Sequence, residues 1–388
     1  MDRLIYFDNS ATTKICEEAL GKYIEVSRDC YGNPSSLHSL GFNAEKVLDS
    51  ARREILDSLS ARGSEVVFCA SGSEANNLAI MGRALSKDRY SRGAKIITTE
   101  GEHASVSEPL SRLEKMGFTV AKIPTKNGKI DTGRLISELT KDVILVSVMM
   151  VNNETGALYD LSEIARQMRL RSPEALLHAD CTQSYMKLPF TKQSIGADML
   201  TLSSHKIEGP KGVGALVIDQ KVIKSRGLSP LIYGGGQEGG LRSGTENVPA
   251  IAAFGEAVRI AKGSLRERYF KMKELREYLI EKISEKIPEI SMTLPDSAAP
   301  HILNLTLPRI KSETMLHYLS SLGIYVSSGS ACSSNSSHVS SALVAYGRSA
   351  DEADSSIRVS LSHRNERWEA DELTGALYAG ISRLARKG

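Results

Sequence analysis

ADMLTLSSHKIEGPKGVGALVID, residues 197–219, sets two short apolar runs around a polar turn. Met199-Leu200-Thr201-Leu202 has the length and composition of a buried strand, and Gly212 to Ile218 supplies a second. Between them lie Ser203, Ser204, His205, Lys206 and the turn Gly209-Pro210-Lys211-Gly212. A lysine just past an apolar strand stands where open sheets deliver side chains to ligands. Partly desolvated, its amine becomes a Schiff-base nucleophile. For an isolated lysine the competing reading is a solvated loop residue, since lysine is seldom buried unless paired. GPKGVG lacks the GxxxxGKS/T spacing of a nucleotide-phosphate loop.

The flanking sequence repeats one grammar. Val66–Cys69, Lys95–Thr99, Thr119–Ile123, Val143–Val151 and Leu176–Ala179 are apolar runs of strand length, and most are followed by a helical pattern. Helices are expected through about Ala84, through Met116, from Asp131 to Leu139 and from Leu161 to Leu170. Upstream, Leu4–Phe7 is a short strand, Asp8-Asn9-Ser10 a turn and Cys16–Arg28 a helix, and Asn43 opens an amphipathic helix. Buried strands alternating with helices predict an α/β domain with a mostly parallel central sheet. Ser71 to Ser73, His103, Asn153, Asp180 and Ser203 to Lys206 each follow a predicted strand. Ligands bind at the carboxyl ends of such strands, so these residues form a candidate site.

Downstream, Gly234-Gly235-Gly236 leads to Arg242-Ser243-Gly244-Thr245-Glu246-Asn247, and Pro249 starts a helix. A charged helix over 264–287 crosses to a smaller α+β domain. Its strands are expected at Ile302–Leu307, Ile324–Val326 and Ile357–Leu361, with helices from Glu313 to Leu322 and from Glu366. The division is 15–258 for the large domain, and 1–14 with 259–388 for the small one. Ser327 to Ser341 holds nine serines in fifteen residues around Cys332. Such a run carries no core and predicts a mobile loop, where a small buried hydrophobe is a poor reading of the thiol.

Composition excludes several classes. The 388 residues carry a formal charge of +3 and no basic block, which argues against nucleic-acid or membrane-surface binding. No run approaches the roughly 18 apolar residues of a membrane span. Five widely spaced cysteines without a CxxC pair fit a reducing cytoplasm, not a disulfide scaffold or zinc ribbon.

A Schiff-base lysine needs a carbonyl partner, which pyridoxal phosphate has; that cofactor also needs a carboxylate at its ring nitrogen and a phosphate cradle. Asp180 can be the carboxylate, with a helix N-cap as the alternative. Ser71-Gly72-Ser73 at a helix start offers amides and hydroxyls to an anion, or is a plain cap. Ser203, His205 and Thr245 can complete the phosphate shell, and Gln183 can meet the ring oxygen. His103 can lie on the ring face and shuttle protons near neutral pH.

SGSEANN (71–77), EH (102–103), VNNETG (151–156), HADCTQS (178–184), SSHKIEGPKGVGAL (203–216), RSGTEN (242–247) and SSGSACSS (327–334) resemble, in order, the group I cysteine desulfurases. These are the NifS/IscS-like members of the class-V aminotransferase group. The resemblance runs from Asp8-Asn9-Ser10-Ala11-Thr12-Thr13 to Ser356-Ile357-Arg358. It implies a dimeric fold-type I enzyme, aspartate aminotransferase-like, that uses pyridoxal phosphate to take sulfur from L-cysteine and leave L-alanine. By position, Lys206 would hold the cofactor, Asp180 its ring nitrogen and Gln183 its phenolic oxygen, with His103 stacked on the ring. Gly72, Ser73, Ser203 and His205 would bind phosphate, joined by Thr245 of the neighbouring subunit. Asn153 would touch cofactor and substrate, Arg358 would clamp the substrate carboxylate, and Cys332 would receive the sulfur. The acceptor would be an iron–sulfur scaffold or a tRNA-thiolation enzyme. Gly239 stands where the family has arginine. A selenocysteine lyase, another pyridoxal-phosphate lyase or aminotransferase, and a degenerate sulfur carrier are the competing readings.

Overall fold

The computed structural model describes residues 4–86, 93–328 and 339–384. The short strand β1 (Ile5–Tyr6) is followed by helices α1 (Glu17–Asp29) and α2 (Ser39–Ser58). The strand–helix alternation then begins with β2 (Ser64–Cys69), α3 (Gly72–Ala84), β3 (Lys95–Thr99) and α4 (Ala104–Lys115). Strands β4 (Thr119–Ile123), β5 (Val143–Met149), β6 (Leu176–Asp180), β7 (Met199–Ser203) and β8 (Gly214–Asp219) complete a seven-stranded sheet. Its order is β2-β8-β7-β6-β5-β3-β4. Only β8 opposes its neighbours; the other pairings are parallel.

Alternation along the strands fills two cores. Val67, Ile96 and Leu216 pack with Leu78 and Leu110 of α3 and α4. Their neighbours Val66, Ile97 and Val217 point the other way, onto Ile55 of α2 and Phe254 of helix 248–263. Both faces are thus covered, which is why β5 is buried at all seven residues.

A second sheet has the order β12-β13-β10-β9, made of β9 (Ser291–Thr293), β10 (Ile302–Thr306), β12 (Ser327–Ser328) and β13 (Ser356–Ser360). Beside it, β11 (Ile324–Tyr325) pairs in parallel with β1. Helices 265–286, 312–321 and 367–384 cover this unit over a separate core that includes Phe7, Leu279, Met315, Ile357 and Leu377.

Three local readings change. Helix α2 starts at Ser39, four residues before Asn43, because the His38 ring accepts from the Gly41 amide at 3.3 Å and caps it. The serine-rich run is structured at both ends: Ser327 and Ser328 pair with Arg358 and Ile357, and Ser341–Tyr346 is helical. Residues 329–338, with Cys332, lie outside the described residues. Asp180 caps no helix; its Oδ1 accepts from the Thr182 amide at 2.9 Å in a tight turn.

Candidate active site

The start of α3 sets up an anion site. Ser71 caps it, accepting from the Glu74 amide at 3.2 Å, while Glu74 accepts from the Ala70 amide at 2.8 Å. Among the described residues the amides of Gly72 and Ser73 find no acceptor, and both residues line a cleft of about 520 Å³. Two amides at the positive end of a helix favour an anion there. The cradle is tight. A Cβ on Gly72 would stand 3.3 Å from Ser203 Cβ and from Thr182 Oγ1.

Asp180 closes β6 with Oδ2 accepting from Asn76 Nδ2 at 2.8 Å. The same Asn76 group lies 2.8 Å from Ser105 Oγ, which in turn lies 2.8 Å from His103 Nδ1. His103 Nδ1 also accepts from the Ser105 amide at 3.1 Å, so the proton of a neutral ring sits on Nε2. Burial holds the His103 pKa below its ordinary value; Asp180 opposes this, and the charges of Lys206 and Arg358 add to it. Behind it, Glu102 accepts from Thr99 Oγ1 at 2.6 Å and from the Met149 amide at 3.0 Å. Burial pushes Glu102 up to about 8.

After β7, the single turn Ser204–Lys206 aims Lys206 at the N-terminal arm, where Nζ donates to the carbonyls of Ser10 and Ala11 at 2.6 Å each. Thr13 pins that arm, donating to the His205 carbonyl through its amide and its hydroxyl. His205 Nδ1 lies 3.1 Å from Thr12 Oγ1. Burial, then the charges of Lys206, Lys211 and Lys187, push His205 down to about 4, so it is neutral near pH 7. Gln183 Nε2 donates to the Ser10 carbonyl at 3.0 Å.

Arg358 enters from β13. Its two terminal nitrogens donate to the Asn153 carbonyl at 2.9 Å and to Asp8 Oδ1 at 3.0 Å, and its Nε is buried with no partner among the described residues.

Gly72, Ser73, His103, Asn153, Asp180, Gln183, Ser203, His205, Lys206 and Arg358 therefore line one cleft. Thr245 does not; it lines a separate depression with Phe68, Glu238 and Arg242. Gly239 takes a left-handed φ of 63° beside Glu238, which Arg52 holds through both carboxylate oxygens. Asp8, Ser10, Asn76, Ser105 and Thr182 belong to the site without having been singled out. Asp8 and Ser10 read as turn residues, and Asn76 as an ordinary polar residue of a helix. Only its near-complete burial marks it.

The sequence model of the aminotransferase class-V family matches residues 5–373. A protein of Lactobacillus delbrueckii named NifS/IcsS protein homolog is 41% identical, over 99% of this chain and 100% of its own length. Cysteine desulfurase IscS 1 of Archaeoglobus fulgidus is 38% identical over 98% of this chain and 97% of its own. A solved structure described as a NifS-like protein superposes with a TM-score of 0.91 at 33% identity, covering 98% of this chain and 100% of that one.

Proposed function

Because the chain belongs to the aminotransferase class-V family, we propose that its cleft converts L-cysteine to L-alanine and leaves the sulfur as a persulfide on Cys332. The protein is a pyridoxal-phosphate-dependent cysteine desulfurase of fold-type I. The observation that carries the residue roles is the convergence of Lys206, Asp180, His103, Gln183 and Arg358 on one cleft over the open amides of α3.

The cleft fits the cofactor on its own chemistry. The Gly72–Ser73 amides and the Ser203 hydroxyl suit a phosphate, in a cradle that a Cβ on Gly72 would crowd. Asp180, oriented by Asn76 and Thr182, suits a protonated ring nitrogen. When bound, pyridoxal phosphate supplies a carbonyl for the Lys206 amine and a ring that withdraws electrons from the substrate Cα. Arg358 binds the substrate carboxylate through the guanidinium group it brings to the cleft. His103, neutral near pH 7, can take up a proton to become imidazolium and give one back, and so shuttles rather than stores it.

Sulfur transfer needs no outside oxidant. The Cys332 thiolate attacks the substrate sulfur, an S–S bond forms and the Cβ–S bond breaks. The carbon gains the electron pair and a proton and becomes the methyl group of alanine. Cysteine and thiol thus give alanine and persulfide, atom for atom.

Further readings follow from the same assignment. A homodimer is supported by Thr245 lying away from this chain's own cleft, and by exposed Ile24, Tyr31, Leu37 and Phe42 around α1 and α2. Two units, 15–258 and 1–14 with 259–388, are supported by the separate cores. The free thiols of Cys16, Cys30, Cys69 and Cys181 fit a reducing cytoplasm. The acceptor is an iron–sulfur scaffold or a tRNA-thiolation enzyme.

Lys206→Ala tests the cofactor assignment. The purified variant should lack the yellow colour of the wild type and make no alanine from cysteine. Wild-type turnover in that variant would refute it.

A further inference from the structure

Lys187 is 7% exposed, and among the described residues its ammonium group meets one acceptor, Gln183 Oε1 at 3.4 Å. A buried lysine is ordinarily paired with a carboxylate. The nearby acid, Glu208, is already held by Arg268 at 3.2 Å and Arg364 at 2.6 Å. Lys187 and Lys206 line the same cavity of about 30 Å³, which has room for about one water. They are also joined through protein atoms. Gln183 Nε2 donates to the Ser10 carbonyl, which accepts from Lys206 Nζ as well.

Charge reaches Lys187 from several elements. Lys206 acts from the turn after β7 and Arg358 from β13, both repelling its proton; Glu208 attracts it. His301 at the foot of β10 and Arg276 of helix 265–286 lie beyond; both ring nitrogens of His301 lack a partner among the described residues, and burial, then the charge of Lys187, keeps it neutral. Burial, then Lys206, then Arg358, push Lys187 down to about 7.

We propose that Lys187 is a proton-linked positioning residue, binding a proton when a ligand carboxylate settles on Arg358 and releasing it when that carboxylate leaves. Arg358 is a cation that opposes the charge of Lys187 and whose field a bound carboxylate cancels. With that repulsion gone, Lys187 keeps its proton at a pH where it otherwise loses it. The proton comes from water. Charged Lys187 donates more strongly to Gln183 Oε1, which fixes that amide with Nε2 as its donor edge. The site thereby couples the arrival of an anionic ligand to the orientation of a residue facing the cofactor's ring oxygen. The inference rests on Arg358 as the carboxylate-binding residue.

The test follows Lys187 by NMR in the full-length holoenzyme, with lysine isotopically labelled at the ε position and the signal assigned by its loss in Lys187→Arg. Titration runs from about pH 6 to about pH 10, in sodium chloride and then in sodium propionate of equal ionic strength. The expected midpoint lies below the ordinary lysine value in chloride and roughly half to one unit higher in propionate. In Arg358→Gln the midpoint should be raised in both salts by about as much as propionate raises it in the wild type, and be indifferent to propionate. In Lys187→Arg, whose charge does not titrate, propionate affinity should lose its pH dependence near neutrality. A chloride midpoint at the ordinary lysine value overturns the proposal. So does a midpoint that stays still while propionate binds at Arg358. If propionate fails to bind at Arg358, that assignment falls and the linkage falls with it.

Discussion

Gly214→Ala places one methyl group beneath the turn that starts α3. A Cβ at 214 would stand 2.6 Å from the Ser71 carbonyl carbon, 2.8 Å from the Gly72 nitrogen and 2.9 Å from the Leu202 oxygen. These are main-chain atoms, whose comfortable separation from carbon is about 3.5 Å. The sheet cannot yield easily, since Gly214 is paired with Cys69 of β2 on one side and Ser203 of β7 on the other. The Ser71–Ser73 turn must therefore retreat, by roughly half to one ångström. Overpacking of this kind costs about 1–3 kcal/mol. Here it falls on the amides assigned to the phosphate, and about 1.4 kcal/mol is tenfold in affinity. Pyridoxal phosphate should bind the cofactor-free variant about tenfold or more weakly, by absorbance titration, with a lower thermal midpoint. Affinity within twofold of wild type and an unchanged midpoint would refute the reasoning. A lower midpoint with full affinity would mean that the β2–β8 edge yields in place of the cradle.

Three other substitutions probe neighbouring links. Asn76→Leu removes the donor shared by Asp180 and Ser105; colour should remain while kcat drops about tenfold, and unchanged kcat would deny Asn76 its orienting role. His103 is held below the ordinary histidine value of about 6.5, so the acid limb of kcat/KM should lie below that pH and vanish in His103→Gln. The same limb in the variant would assign it to another group. Lys187→Met should stabilise the protein, because the folded state lowers this lysine to about 7 against about 10.4 unfolded. Below pH 7 the amine is charged in both states and the full penalty, roughly 3–5 kcal/mol, applies; it shrinks as pH rises and is gone by about pH 10. Denaturant unfolding at several pH values should show the variant's advantage narrowing upward, and a constant or widening gap would contradict the assignment.

The central sheet was legible because both its faces are covered. Strands such as Val143–Met149 then have no polar alternation and stand out as continuous apolar runs, and most of them end in polar residues that reach the cleft. What escaped depends on partners distant in sequence. Ser327 and Ser328 have no strand character of their own; β13 supplies their pairing. Asp8 and Ser10 look like a turn until the arm is pinned by Thr13 to His205 and crosses Lys206. Lys187 follows the β6 turn with nothing in its local sequence to mark it, and the second unit contributes Leu361 and His363 to the cavity it lines. Thr245 reads as a phosphate ligand only through the resemblance, which gives it to the neighbouring subunit's site, and in a single chain it lies apart from the cleft.

Sulfur transfer to Cys332 is tested most directly by mass spectrometry of the holoenzyme after brief exposure to L-cysteine. In the wild type the peptide containing Cys332 should be one sulfur atom heavier, with alanine formed in equal amount. Cys332→Ser should show neither, although its absorbance should still change when cysteine is added. Added sulfur on Cys181 or Cys30, or alanine made at an undiminished rate by Cys332→Ser, would contradict the assignment.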